Sequence, residues 1–528
     1  MRQRKTRAGR SNSADTTSID RRALLAGAAA AGGAMALPHG AFAQETPRRG
    51  GTLRWALPFN AGSLDPMTGR TAGEFSILYT MFDPLIDFDP VTLDPKPGLA
   101  KSWAFADPKR LTLELVDGVK FHDGTPFDAE AVKFNLNRYR SDQRSNVKAD
   151  LSSVREVTVD GRLRVSLHLS EPNAALPAIL SDRVGMMVSP TNAQEKGPNI
   201  DRLPVGTGPF KFVSMQDNDR FIATRNENYW KKGLPYLDGV NIAIITETAT
   251  GVRSITAGEN DIATTVGLAQ KVVAERAGKL TVRANRVMSM FGIYLNYGRP
   301  PLDDKRIRQA INYAIDREAV NKAVSFGLDE PTSAIIPKEH WASDAATLRY
   351  YEYNPAKARQ LLREAGHPDG IELPMLGWSD QISMQRQEML VTQLAQAGIR
   401  VKLTPASPSA SSTDFFGPAK KGAGRMSLIA ARPDPSQQYD NLFSKTAYFN
   451  AGGVEFPGYR ELLLATLAAT DNASRKAAFA ALSKFTVENA LLVPVLFNTS
   501  VTVHNPKVKN FVVSLVDKPK VTEVWLTE

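Results

Sequence analysis

No cysteine occurs in the 528 residues. That excludes disulfides, thiol nucleophiles, Cys-ligated zinc, iron–sulfur clusters and the acylated cysteine that tethers a lipoprotein. Histidine is scarce. His39, His122, His168, His340, His367 and His504 are too widely separated for a metal pair on one helix or strand, so neither a metal nor any other cofactor is expected. No stretch reaches the ~20 apolar residues of a membrane-spanning helix. There is also no GxSxG elbow, no HExxH, no SxxK set and no GxGxxG, so catalysis would have to be argued without a motif. An enzyme is not expected, and no catalytic residue is nominated.

What is present begins with size. A chain of 528 residues exceeds one hydrophobic core, and 42% hydrophobic with 23% charged residues is ordinary for a globular protein. The formal charge is +10. Residues 1–43 hold seven basic side chains (Arg2, Arg4, Lys5, Arg7, Arg10, Arg21, Arg22) against Asp15 and Asp20, so about half the excess lies in the leader. Elsewhere Lys and Arg are scattered among acidic residues without a phosphate-tracking stripe, and no nucleic-acid partner is expected. The leader reads as an export signal. Arg21-Arg22 precede an Ala/Gly/Leu run to Leu37, and Ala41-Phe42-Ala43 offers a small-x-small cleavage site. Paired arginines point to the twin-arginine class, with the Sec route as the alternative.

The most informative stretch starts at Pro97. Leu111, Leu113 and Leu115 alternate with polar residues as in a half-buried strand, and Asp117-Gly118 supplies a turn. Asp128 is placed to cap a helix whose apolar face carries Val132, Leu136 and Tyr139. Trp103, the strand, Lys120-Phe121-His122-Asp123-Gly124-Thr125-Pro126-Phe127 and the capped helix together resemble the signature block of the extracytoplasmic peptide- and oligopeptide-binding proteins of ABC importers (family 5). Four further blocks follow in family order: Val205 to Phe212 (VGTGPFKF), Asn226 to Trp230 (NENYW), Pro235 to Asp238 (PYLD) and Ala257 to Ala263 (AGENDIA).

The resemblance implies an α/β, periplasmic-binding-protein-like fold. Two α/β lobes would flank a cleft, with an additional subdomain in the first. The divisions expected are residues 44–288 for the first lobe, 289–498 for the second and 499–528 for a segment returning to the first, with crossings near Met288 and Asn498. It also implies a function: a periplasmic substrate-binding component, acting as a monomer, that captures a short peptide or other small polar solute by lobe closure and delivers it to an inner-membrane ABC permease. A secreted enzyme or a chemoreceptor-only ligand sensor on the same fold is the alternative.

Periodicity adds detail. Val157 to Leu169 reads as a β-hairpin turning at Asp160-Gly161. Asp303 or Asp304 caps a helix with Ile307, Ala310, Ile311, Ala314 and Ile315 on one face, leaving Arg308 and Arg317 on solvated surface. Asn354-Pro355 starts a helix ending at Gly366, and another runs from about Gln385 to Ala397. Ser407 to Ser412 reads as an exposed loop.

Candidate ligand contacts follow from the resemblance. In peptide-binding members a second-lobe aspartate pairs with the peptide ammonium. Here that position is Ala431, beside Arg432, a departure that counts against an ordinary free-amine peptide. An arginine suits a carboxylate or phosphate, through two parallel hydrogen bonds, and equally a surface pair with Asp434. Asp434 is kept as a possible cation partner. Trp378, Trp341, Tyr439, Phe443 and Tyr448 are candidate aromatic walls, Asn450 matches a recurrent family asparagine, and Phe75 and Tyr79 are first-lobe candidates, core packing being the competing reading for each aromatic.

Overall fold

In a computed structural model that describes residues 46–69, 72–469 and 471–527, Arg110–Leu115 is a strand with Leu111, Leu113 and Leu115 fully buried. Asp128 caps the helix Ala129–Ser141 by accepting from the Ala131 N–H at 3.0 Å. The stretch read as an export signal, with its paired arginines and the expected cleavage site near Ala43, lies outside the described residues.

These elements belong to an antiparallel four-stranded sheet, Ala100–Asp107, Arg110–Leu115, Arg164–Leu169 and Val154–Gly161 in spatial order. Its core runs from Met67 to Met187. The hairpin turns later than its sequence implies. Gly161 pairs with Arg164, leaving Arg162-Leu163 as the turn, while Asp160 accepts from Thr158 Oγ1 and Ser166 Oγ. A register shift between Val159 and Gly161 absorbs the extra residue.

Eleven further strands form one mixed sheet, and four short ones make two separate pairs, Ile86–Phe88 with Pro95–Pro97 and Val508–Lys509 with Trp525–Leu526. Thr281–Leu295 and Val493–His504 are its longest members and pair antiparallel at its centre. On one side of this pair lie Gly424–Ile429, Ile371–Trp378 and Ile399–Ala406; on the other, Ile262–Ala263, Thr52–Leu57, Gly239–Ile244, Arg220–Arg225 and Phe210–Gln216. One core extends from Met290 to Phe497. Another joins Leu53, Trp55 and Phe210 to Phe511, Leu515 and Val524 of the C-terminal segment. The central ladder is regular from Thr281↔His504 to Arg286↔Thr499, shifts register, and resumes at Met290↔Phe497. Asp329 braces the break, accepting from the Thr499 N–H at 2.7 Å and pairing with Arg386 at 3.0 Å.

Several local readings change. The segment from Ser407 is helical, Pro408–Phe416, because the Ser407 side chain accepts from the Ala410 N–H, proline occupies the first turn, and Phe415 and Phe416 at the far end are buried. The helix after Asp304 stops at Tyr313, and a second, Arg317–Val324, starts from an Asp316 cap. Arg308 and Arg317 are each 5% exposed rather than solvated. Arg308 donates to the carbonyls of Leu302, Asp303 and Asn489, and Arg317 to those of Thr332, Pro494 and Asn312. A rigid fork of donors suits buried carbonyls that no strand or helix satisfies.

His122 locks two family blocks together. Its Nε2–H donates to the Gly208 carbonyl at 2.9 Å while Nδ1 accepts from the Gly206 N–H at 3.4 Å. Gly206 and Gly208 are required by close approach: a Cβ would stand 2.1 Å and 2.4 Å from the Met81 backbone. Burial brings the His122 imidazole down to about 4, and that of His340 likewise to about 4. The unfolded imidazole titrates near 6.5, so as pH falls from there toward 4 the unfolded chain takes up protons that the fold refuses. Stability present above pH 6.5 is then lost, by up to ~3 kcal/mol for each histidine. Urea denaturation of the His122→Gln variant is expected to show a shallower fall in stability between about pH 7 and pH 4.5 than the parent; an identical slope would show that His122 does not carry this term.

Candidate functional site

The helix Pro435–Phe443, which follows the strand Gly424–Ile429, faces residues 149–179 of the other half. Contacts cross between them. Gln437 Nε2 donates to Asp150 Oδ1 at 3.1 Å, the Ala174 N–H donates to the Leu467 carbonyl at 2.8 Å, and Arg460 lies 3.5 Å from Glu171. Two small hollows lie beside this helix, the first of them at the junction. One, of about 70 Å³, is bordered by Asp150, Asn173, Gln437, Asp440 and Asn441. The second, of about 30 Å³, is bordered by Arg432, Tyr294, Gln438, Asn441 and Phe449.

Arg432 is half-buried in the second hollow and forms no hydrogen bond or ion pair among the described residues. It acts electrostatically on Asp150 and Asp182 across the junction and on Tyr294 beside it. Asp434, two residues on, is 3% exposed and fully engaged. Both its oxygens accept from Arg475, at 3.0 and 2.8 Å, and one also caps the helix through the Ser436 N–H at 2.9 Å. The surface pair between Arg432 and Asp434 is therefore not formed; Arg475 has taken its place.

The other candidates divide in the same way. Tyr439 is fully buried, its hydroxyl 2.8 Å from Ser483 Oγ, and Phe443 packs against it. Asn450 is 3% exposed and holds its own loop, donating to the carbonyls of Phe443, Ser444 and Val454. Phe75 and Tyr79 are buried beneath cations: Lys518 Nζ is 3.7 Å from the Phe75 ring centre and Lys520 Nζ 4.4 Å from that of Tyr79. Trp341 is half-buried under Arg475, and Tyr448 is exposed with its hydroxyl 3.5 Å from Ser412 Oγ. Trp378 is half-buried, with its indole N–H enclosed and unpartnered.

Trp378 leads to a residue the sequence reading missed. Arg425 lies 5.8 Å from its ring, 5.3 Å from that of Phe416 and 6.0 Å from that of Tyr294. This guanidinium is 4% exposed, donates to Ser411 Oγ and Ser427 Oγ, and has no carboxylate partner among the described residues. Burial pulls its pKa down, with Tyr294 and Tyr448 opposing. Tyr294 thus lies near two arginines that lack carboxylate partners. Asp182 and Lys518 were also missed. They pair at 2.7 Å, both buried; burial pushes Asp182 up, but Lys518, Arg432 and Arg183 together hold it below the usual carboxylate range, and burial brings Lys518 down to about 8. Nothing in the local sequence pattern marks these residues, because their partners are distant in the chain. Among the described residues no cluster of three His, Asp or Glu is arranged to hold a metal, and no helix is long and apolar enough to cross a membrane.

The profile described as bacterial extracellular solute-binding proteins, family 5 Middle, matches residues 94–450. The chain belongs to the family 5 bacterial extracellular solute-binding proteins. A glutathione-binding protein, GsiB, of Pectobacterium atrosepticum is 32% identical over 372 residues, covering 69% of this chain and 70% of that one. Among solved structures, a DppA periplasmic binding protein of Helicobacter pylori in complex with the peptide STSA superposes with a TM-score of 0.82 at 23% identity, over 91% of this chain and 99% of the other. AgaA of A. tumefaciens in complex with agropinic acid gives 0.80 at 23%, over 90% and 99%. The fold is therefore that of two α/β lobes around a cleft, and the family 5 protein described here is a periplasmic solute-binding component of an ABC transporter.

Asp434→Ala should behave as a stability variant. Removing one member of a buried pair strands the other charge, so chemical denaturation is expected to show a loss of ~3–5 kcal/mol. A variant as stable as the parent would show that the Arg475 pair is not structural.

Proposed function

We propose that this family 5 protein binds a small peptide-like solute carrying at least one carboxylate, with Arg432 as the principal second-lobe anchor, and releases it chemically unaltered to its permease. The observation that supports this most directly is the pair of guanidiniums near Tyr294, the buried Arg425 and the half-buried Arg432, neither with a carboxylate partner among the described residues. A buried arginine without a counter-ion is costly, and a ligand carboxylate in a dry site offsets that cost through charge-assisted hydrogen bonds. The relatives named for glutathione and for peptide or agropinic acid complexes make this class a reasonable one.

Hollows of about 70 and 30 Å³ are small beside the roughly 300–1,000 Å³ pockets that hold drug-sized ligands. A tripeptide therefore enters with the halves apart. We place the bend at the register break of the two long strands, around residues 287–289 and Asn498, with the first lobe before it, the second between the two crossings and the C-terminal segment back on the first. Closure would expel water and strengthen each charge contact inside.

Mass spectrometry of the compound released from protein purified from its native periplasm identifies the solute; recovery of a chemically transformed product would overturn the proposal. Calorimetry of that compound with the Arg432→Ala variant is expected to show affinity weakened by more than about tenfold, with a melting temperature within about 2 °C of the parent. Undiminished affinity would remove Arg432 from the site.

A further inference from the structure

Two carboxylates across the junction, Asp150 and Asp182, feel the charge of Arg432, and the two are not equivalent. Asp182 is matched to Lys518 at 2.7 Å, and the neighbouring Arg183 to Glu74 at 2.7 Å. Each of these charges has a partner within its own half. Asp150 enters no ion pair among the described residues, and its side chain accepts one hydrogen bond there, from the neutral amide of Gln437 at 3.1 Å. An ionised carboxylate offers about four acceptor positions, so most of its capacity is unused. Burial pushes the Asp150 carboxyl above its usual range; Arg432 opposes this, Asp182 reinforces it, and the Gln437 hydrogen bond and Lys518 pull in the same direction as Arg432.

Position completes the argument. Gln437 and Asn441 lie one turn apart on the Pro435–Phe443 helix and both border the hollow that contains Asp150. Asn441 also borders the hollow of Arg432, so one residue borders both hollows, the first lined by an unpaired carboxylate and the second by an unpaired cation. We infer that Asp150 is the first-lobe anchor of this cleft, taking the ammonium group of a zwitterionic, peptide-like solute whose carboxylate lies on Arg432. The inference rests on the anionic, peptide-like reading above and adds the second charge.

Its physical content is a link between lobes. In the absence of solute, Arg432 and Asp150 partly offset each other through space. A solute carboxylate that occupies Arg432 removes that compensation and leaves the half-buried Asp150 short of positive charge unless the same solute supplies a cation. A peptide with its amine intact supplies it, and its two ends then hold opposite lobes together. An N-acylated peptide does not, and pays the cost of the stranded carboxylate.

The test uses the full mature chain and two matched synthetic tripeptide mixtures, one with free amines and one N-acetylated. Compounds retained after gel filtration are identified by mass spectrometry, and the best-retained peptide and its N-acetyl form are titrated by calorimetry. The free amine is expected to bind at least about tenfold more tightly. In Asp150→Asn that preference should fall below about threefold, with a melting temperature equal to or above the parent's, since a half-buried unpaired charge is gone. Equal affinity of the parent protein for both forms would overturn the role of Asp150 while leaving the peptide reading intact. Retention of neither mixture would overturn the peptide reading and this inference with it.

Discussion

The two central strands, Thr281–Leu295 and Val493–His504, are the constraint from which the rest of the structure follows. Their ladder unites two hydrophobic cores in one sheet, yet its register breaks between Arg286 and Met290. A continuous ladder resists bending because each residue is held by its neighbours' hydrogen bonds; a break concentrates any bend where few such bonds are lost. Asp329, Arg386 and Asn498 surround that point with side-chain bonds rather than backbone ones. Side-chain bonds can re-form in a second geometry at modest cost, as lobe opening demands.

The cleft is organised by which charges are already satisfied. Asp434 with Arg475, Asp182 with Lys518, Asp65 with Arg138 and Glu74 with Arg183 are matched inside the protein, and each is buried or nearly so. Such pairs are poor ligand contacts, since a solute would have to break a good interaction before making its own. Arg432 and Asp150 are half-buried and enter no ion pair among the described residues, whereas Arg425, like Arg308 and Arg317, is buried on neutral partners. A partly desolvated charge without a counter-ion lowers the stability of the unliganded fold.

Much of the fold was legible from local pattern. Asp128, Asp304 and Asn354 cap the helices their positions implied, and alternating leucines at 111, 113 and 115 line a core. Local reading failed where a tertiary partner outweighed local preference. Arg308 and Arg317 looked solvated because their helix faces are polar, but carbonyls brought from Asn489 and Pro494 draw them inside. The segment from Ser407 looked like a loop by composition, although its cap serine and the two phenylalanines at its end make a helix. Among site candidates, Arg432 and Trp378 border open space or keep an unused polar group, while Asp434, Tyr439, Asn450, Phe75 and Tyr79 are taken up by internal contacts.

What the sequence determined by itself is the family, the α/β character and most element boundaries, since these depend on short-range periodicity, capping and ordered blocks that any stretch of chain displays. What only the tertiary structure decided is which charges are spoken for. Asp434 and Asp150 are the same residue type, and nothing local distinguishes them; Arg475, 41 residues beyond Asp434, neutralises the first, while Asp150 enters no ion pair among the described residues and accepts from the Gln437 amide across the junction. Coulombic matching depends on separation in space, and separation in space is set by how the chain returns on itself.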